Sequence, residues 1–181
     1  MKEVVFTSFG AFREIAANPS ILVAKRAADL VAAAGCRVEL LELPVTFAAA
    51  ASFPGRPSAA GLRVHVGVAA SRATVTVERW GRPESGQEPD TAGCLGPTAP
   101  DGATPRRSAP AEALVEALCL EGEAASLSDD AGGYVCNALL YASLRSDGQA
   151  CFVHVPLLSE ADAEETGRRL GRAVVRLVLG V

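Results

Sequence analysis

The chain has 181 residues, 49% of them hydrophobic, with 17 Lys and Arg against 21 Asp and Glu and a formal net charge of −4. That length buries a full core and suits one domain over residues 1–181. No basic cluster favours nucleic acid, and no apolar run reaches the roughly 18 residues of a membrane span, so neither is expected as a partner. The five cysteines, Cys36, Cys94, Cys119, Cys136 and Cys151, are widely spaced with no CxxC pair, and there are two histidines. A structural zinc site and a secreted disulfide framework both fit poorly, so no metal or other cofactor is expected and a reducing cytoplasm is the expected compartment.

The N-terminus lacks a signal-peptide layout and opens directly on a predicted strand, Lys2 to Thr7. A loop runs from Ser8 to Arg13. Asn18-Pro19 then announces a helix, Asn as N-cap and Pro at the first helical position, with Leu22, Val23, Ala27, Leu30 and Val31 on its apolar stripe and Gly35 closing it. Arg37 to Leu43 is a second strand, ended by Pro44. Phe47 to Ser52 suits a short helix broken by Pro54-Gly55. Strands follow at Leu62 to Val68 and Thr74 to Trp80. Gly81 to Pro110 is rich in Gly, Pro, Ser, Thr and charge. It is too long for an ordinary connection, and reads as a functional or partly disordered loop. A helix at Ala111 to Leu120, a strand at Ala124 to Ser128, a helix at Tyr134 to Leu144 and a strand at Cys151 to Val155 come next. The last helix runs from Ser159, its cap, to Leu179, with Asp162 at the third position. Alternating strands and helices imply an α/β layered fold with a largely parallel sheet, whose ligands gather outside the carboxyl ends of the strands. Cys136, His154 and Glu78 are then expected on one rim.

The stretch Ser128-Asp129-Asp130-Ala131-Gly132-Gly133-Tyr134-Val135-Cys136-Asn137 places a cysteine within about the first turn of a helix. A cysteine there serves either as a small buried hydrophobe or as a nucleophile, because a helix N-terminus favours thiolate. Asp129 and Asp130 read as helix-capping residues. A helix terminus contributes about 0.3–1 kcal/mol, less than one pKa unit at roughly 1.4 kcal/mol per unit. A strongly acidic thiol would therefore need an imidazolium beside it. Taken alone, His154 suits a core histidine as well as a base, and Glu78 suits a solvent-facing charge as well as an orienting carboxylate. Cys36, Cys119 and Cys151 read as packing residues, and Cys94 as the exposed thiol.

Five blocks in order carry a resemblance. They are Thr7-Ser8-Phe9-Gly10-Ala11-Phe12 with Asn18-Pro19-Ser20; Leu43-Pro44-Val45; Val64-His65-Val66-Gly67 with Arg72 and Val77-Glu78-Arg79; Ala131-Gly132-Gly133-Tyr134-Val135-Cys136-Asn137; and Phe152-Val153-His154-Val155-Pro156. Together they resemble the type I pyroglutamyl peptidases, also called pyrrolidone-carboxylate peptidases, a family of cysteine peptidases. The resemblance implies a three-layer α/β/α sandwich with a mixed, largely parallel sheet, of the phosphorylase/hydrolase-like kind. It implies a Glu78–Cys136–His154 triad: Cys136 attacking the pyroglutamyl carbonyl to give a thioester, His154 as proton carrier, and Glu78 orienting the imidazole. It further implies a lactam pocket walled by Phe9 and Phe12, with Val68 contributing through its backbone, Tyr134 lining it, and Asn18 pinning the first loop or only capping its helix. His65 matches a family position without a catalytic role and reads as structural. Peptides with an N-terminal pyroglutamate are the implied substrates, and a cytoplasmic homo-oligomer, dimer or tetramer, the implied assembly. After Glu78 the family carries an Arg-bearing segment, where this chain reads Gly86-Gln87-Glu88-Pro89-Asp90-Thr91. Arg79 or Arg82 is then the candidate for positive charge at the site. Two other readings stay open: an amidase for a related lactam or blocked N-terminus, and a protein that binds pyroglutamyl peptides without cleaving them.

Overall fold

The computed structural model describes residues 1–12, 18–53, 61–86, 88–145 and 148–181. In chain order the elements are β1 (Glu3–Phe9), α1 (Pro19–Ala33), β2 (Arg37–Leu43), α2 (Phe47–Ser52), β3 (Leu62–Val68), β4 (Val75–Glu78), β5 (Trp80–Gly81), β6 (Arg106–Arg107), α3 (Ala111–Leu120), β7 (Ala125–Ser128), α4 (Val135–Ser143), β8 (Ala150–Val155) and α5 (Glu160–Leu179). Six strands form one sheet in the order β2-β1-β3-β8-β4-β7. β2, β1, β3 and β8 run parallel. β4 is antiparallel to β8 and parallel to β7. This is a mixed, mostly parallel sheet. The break in Asn18's strand-like backbone, with its side chain accepting from the Ser20 N–H at 3.1 Å, starts α1 as the sequence indicates. Ser159 caps α5 in the same way. The Pro54-Gly55 helix break and the end of the first loop at Arg13 lie outside the described residues.

Strand side chains alternate between faces, and here the two faces differ in kind. Val4, Phe6, Val64, Val66, Val68, Cys151, Val153, Val155, Val75 and Val77 point into a largely apolar layer with α1, α3 and α5. The opposite face, covered by α2 and α4, carries Val5, Phe9 and Phe152 together with the polar chain Thr7, His65, Thr76, Glu78 and His154. Chemistry is thus confined to one side of the sheet. The other side supplies the apolar area whose burial drives folding.

The antiparallel β4 corrects one expectation. Glu78 does not reach the site from a carboxyl end shared with β8. Thr76 stands opposite His154 and Glu78 opposite Phe152, so Glu78 lies two residues deeper in the sheet than the histidine. The long loop is also more ordered than its composition implies. Trp80–Gly81 pairs with Arg106–Arg107 as a two-stranded ribbon, and the Ser108 hydroxyl donates to the Ala150 carbonyl at 2.6 Å, tying the loop's end to β8.

On the apolar side, α1 and α5 approach closely through Gly167 and Gly171. A Cβ at Gly171 would lie 2.9 Å from Leu30 Cβ and 3.1 Å from the Ala27 backbone. Overpacking of this kind costs about 1–3 kcal/mol. Gly171→Leu is therefore expected to lower unfolding free energy by about that amount in urea titration, and an unchanged midpoint would show that the two helices can part without loss.

Candidate active site

β8 delivers His154, 4% exposed, at its penultimate position, and β4 delivers Glu78, 0% exposed, at its last. The two are joined by a 2.7 Å contact between His154 Nδ1 and Glu78 Oε1. A carboxylate accepts only, so Nδ1 carries the proton and Nε2 is left as the basic nitrogen. α4 delivers Cys136 at its second residue, half-buried, beside Phe152 and Tyr134. Gly67 sits beneath it. A Cβ there would lie 3.3 Å from Cys136 Sγ and 2.9 Å from the Phe152 ring, and Gly67 is the strand partner of His154 across β3 and β8. A side chain at 67 would intrude on the space that the thiol and the Phe152 ring occupy.

Burial governs the electrostatics of the site. Burial, then the Glu78 charge, push the Cys136 thiol up to about 12, against smaller favourable contributions from its own backbone N–H and from Arg72. Burial also holds His154 below the ordinary imidazole value, opposed by the hydrogen bond and charge of Glu78 and assisted by Arg72. Both directions favour thiol and neutral imidazole over thiolate and imidazolium at rest. A helix start worth about 1 kcal/mol does not offset the desolvation. Nor do Asp129 and Asp130 cap α4. Its N-cap is Tyr134, with no side-chain hydrogen bond. Asp130 instead closes a turn by accepting from the Gly132 N–H at 3.0 Å, and Asp129 pairs with Arg79 at 3.4 Å.

Sequence reasoning placed the site's positive charge on Arg79 or Arg82, and the structure places it on Arg72. Arg79 is turned to Glu112 and Asp129, and Arg82 to the Asp129 carbonyl. Arg72, from the turn before β4, lies 2.7 Å from Glu78 Oε1. The signal for it was available: an arginine six residues before a buried carboxylate in a tight β3–β4 connection. Asn137 was also passed over. Fully buried on α4, it accepts from the Arg82 N–H at 2.8 Å and donates to the Arg82 and Glu84 carbonyls at 3.0 and 2.9 Å, clamping the loop after β5 to the helix.

Of the pocket candidates, Phe9, Phe12 and Tyr134 join Cys136 in one apolar cluster. Phe9 stacks on Phe152 at 6.3 Å, and Tyr134 meets Phe47 edge-on and donates to the Pro89 carbonyl at 3.3 Å. Val68 points to the opposite layer, so only its backbone faces this side. Asn18 caps α1 and also donates to the Gly10 carbonyl at 3.0 Å, performing both of the roles considered for it. Cys36 and Cys151 are buried, while Cys94 and also Cys119, expected to pack, are exposed. Among the described residues no group of three or more His, Cys, Asp or Glu side chains is placed to hold a metal ion.

Two measurements follow. Gly67→Ala puts a methyl against Phe152 and the thiol, and alkylation of Cys136 by iodoacetamide is expected to slow by about 10- to 100-fold with the fold retained. An unchanged rate would separate Gly67 from the nucleophile's position. His65, 0% exposed and 2.8 Å from the Thr7 hydroxyl, is held down to about 3 by burial and then by Arg63. Its unfolded value is near 6.5, so the unfolded chain binds the extra proton first. Stability is full above that pH and is lost as pH falls toward 3, by about 2 kcal/mol at pH 5 from this group. Urea titrations at pH 7 and pH 5 should show that loss, and His65→Leu should reduce it. An equal loss in the variant would assign it elsewhere.

A family model described as pyroglutamyl peptidase matches residues 2–176. The chain is similar to pyroglutamyl-peptidase 1 of Rattus norvegicus, 31% identical over 196 residues that cover 99% of this chain and 91% of the rat protein. It is also similar to the pyrrolidone-carboxylate peptidase of Chromobacterium violaceum, 34% identical over 176 residues that cover 92% and 83% of the two chains. In fold it matches a mutant pyrrolidone carboxyl peptidase of Pyrococcus furiosus at a TM-score of 0.81, with 24% identity and 98% of each chain covered. The pyroglutamyl peptidase I of Bacillus amyloliquefaciens matches at 0.73, with 23% identity and 96% of each chain. With a family match running through β1 to α5 and relatives above 30% identity over nine-tenths of its length, this chain belongs to the pyroglutamyl peptidase family.

Proposed function

We propose that this chain is a cysteine omega-peptidase that hydrolyses the amide bond following an N-terminal pyroglutamyl residue, with Cys136, His154 and Glu78 as its triad. The observation that carries the reading is the 2.7 Å Glu78–His154 contact beside a thiol seated over Gly67, the histidine's strand partner. Because the resting pair is neutral, Cys136 gives its proton to His154 Nε2 as Sγ attacks the pyroglutamyl carbonyl carbon. Glu78 balances the imidazolium that forms. The α4 N-terminus, without a side-chain cap, offers backbone N–H groups to the developing oxyanion. Collapse breaks the C–N bond, and His154 protonates the leaving amine. Water activated by the same nitrogen then hydrolyses the thioester and restores the thiol.

Pyroglutamate is flat and uncharged, so its site needs apolar walls and a few backbone partners rather than a counter-charge. Phe9, Phe12 and Tyr134 beside Cys136 supply walls, the Val68 backbone is the candidate lactam contact, and Asn18 holds the first loop by way of Gly10. Peptides blocked by pyroglutamate are the substrates in this reading, and the whole chain acts as one domain. No described helix is long and apolar enough to cross a membrane. Five free cysteines, two of them exposed, support a reducing cytoplasm. An exposed edge strand, with Leu40 on β2, supports self-association as a dimer or tetramer.

The reduced protein should release 4-nitroaniline from pyroglutamyl 4-nitroanilide. Cys136→Ala should lose at least about 10⁴-fold in kcat. Because His154 is held below the ordinary imidazole value, the neutral base persists on acidification, and the acid limb of kcat/KM should lie below about pH 6.5. No release by folded, reduced protein overturns the proposal.

A further inference from the structure

The guanidinium of Arg72 meets three groups. It lies 2.7 Å from Glu78 Oε1, donates to the Thr76 hydroxyl, and donates to the Asp130 carbonyl at 2.8 Å. These are the triad carboxylate, the strand that carries it, and the loop that leads into the nucleophile's helix. Glu78 is wholly buried, and its second oxygen, Oε2, has no hydrogen-bond partner among the described residues. Both described polar contacts of the carboxylate therefore converge on Oε1, one from a neutral imidazole and one from a permanent cation. A carboxylate taken out of water takes up a proton unless a positive charge stands beside it.

We propose that Arg72 is a positioning residue of this site: it pairs with the buried Glu78 carboxylate and keeps it aimed at His154, and through Asp130 it holds the loop before α4 in register with that carboxylate. The inference rests on the triad reading above. The charged and titratable groups facing Glu78 are His154 on β8, Cys136 on α4 and Arg72 itself. The Asp130 carboxylate is turned away to Gly132, and Arg79 points to Glu112 and Asp129. Arg72 is thus the full positive charge on this carboxylate among the described residues. With Arg72 the Glu78–His154 pair sits in a neutral environment. Without it the pair carries a net negative charge and binds a proton more readily, whichever partner holds that proton.

The test compares Arg72→Met, which keeps bulk and removes charge, with Arg72→Lys, which keeps charge and loses the fork that reaches Asp130. The first readout needs no substrate: the pH midpoint of the His154 ring resonances in labelled protein. It is expected to rise by about one unit in Arg72→Met and to stay near wild type in Arg72→Lys. The second is pyroglutamyl 4-nitroanilide turnover. In Arg72→Met, kcat should fall roughly tenfold or more with KM little changed, and the acid limb should move to higher pH, with the lysine variant restoring the limb. A folded Arg72→Met protein whose His154 midpoint and acid limb match wild type overturns the proposal, because a purely structural tether to Asp130 moves neither. If no form turns over the substrate but the midpoint shifts, the role of Arg72 stands and the peptidase reading falls.

Discussion

A carboxylate with no exposed surface organises this site. Glu78 sits at the end of β4 on the polar face of the sheet. Withdrawing such a group from water costs several kcal/mol, which geometry must offset. The offset comes from two directions, His154 on the neighbouring strand and Arg72 from the preceding turn, each 2.7 Å from the same oxygen. Neither partner could be moved without exposing the cost. The β3–β4 connection must be short enough to return Arg72 over its own strand. β4 must run against β8 so that Thr76, not Glu78, stands opposite His154, leaving the longer glutamate side chain to rise to the imidazole.

The sheet makes this affordable by separating its two tasks. On one face ten apolar side chains from four strands pack against α1, α3 and α5, with the Gly167 and Gly171 backbone bringing α5 close onto α1. On the other, α2 and α4 cover a line of polar groups that would be ruinous in a uniform core. Period-two alternation writes both faces into the same strand. In Leu62–Val68, Leu62, Val64, Val66 and Val68 build the core while His65 and Gly67 build the site. Gly67 contributes by what it lacks, since the space beside Phe152 is taken by the Cys136 sulfur.

Most elements were legible in the sequence because their signals are local. Asn18-Pro19 starts α1 through a cap that the structure contains, and Ser159 starts α5 in the same way. The strands were legible because extended, apolar-bearing runs stop at prolines, β2 before Pro44 and the wholly buried β8 before Pro156. What was not legible depends on contacts distant in the chain. The direction of β4 follows from its pairing with β8, more than 70 residues away. The ribbon of β5 and β6 consists of two residues on each side, too few for any periodicity to report. The identity of the charge partner failed for the same reason. Arg79 and Arg82 are nearer to Glu78 in the chain, but Arg79 pairs with the Asp129 carboxylate and Arg82 donates to the Asp129 carbonyl. The thiol's state was left open in the sequence because a helix terminus is visible there and burial is not. Burial of Cys136 outweighs the terminus.

The charge partner and the thiol's state fit together. A resting thiolate would have to share a buried space with the Glu78 charge, and the structure instead leaves Cys136 protonated and His154 neutral. In the proposed reaction, charge appears only when the proton crosses from sulfur to imidazole. At that moment the site reads Arg72 positive, Glu78 negative, His154 positive and the reacting sulfur or oxyanion negative, each charge flanked by its opposite. Alternation of this kind lowers the energy of a charge-separated state without stabilising the neutral ground state equally, which is the condition for accelerating a reaction rather than merely binding its substrate. The order depends on the far end of the line. With Arg72 absent, that line would lose its first member, and the negative charge of the Glu78–His154 pair would stand unbalanced before the reaction begins.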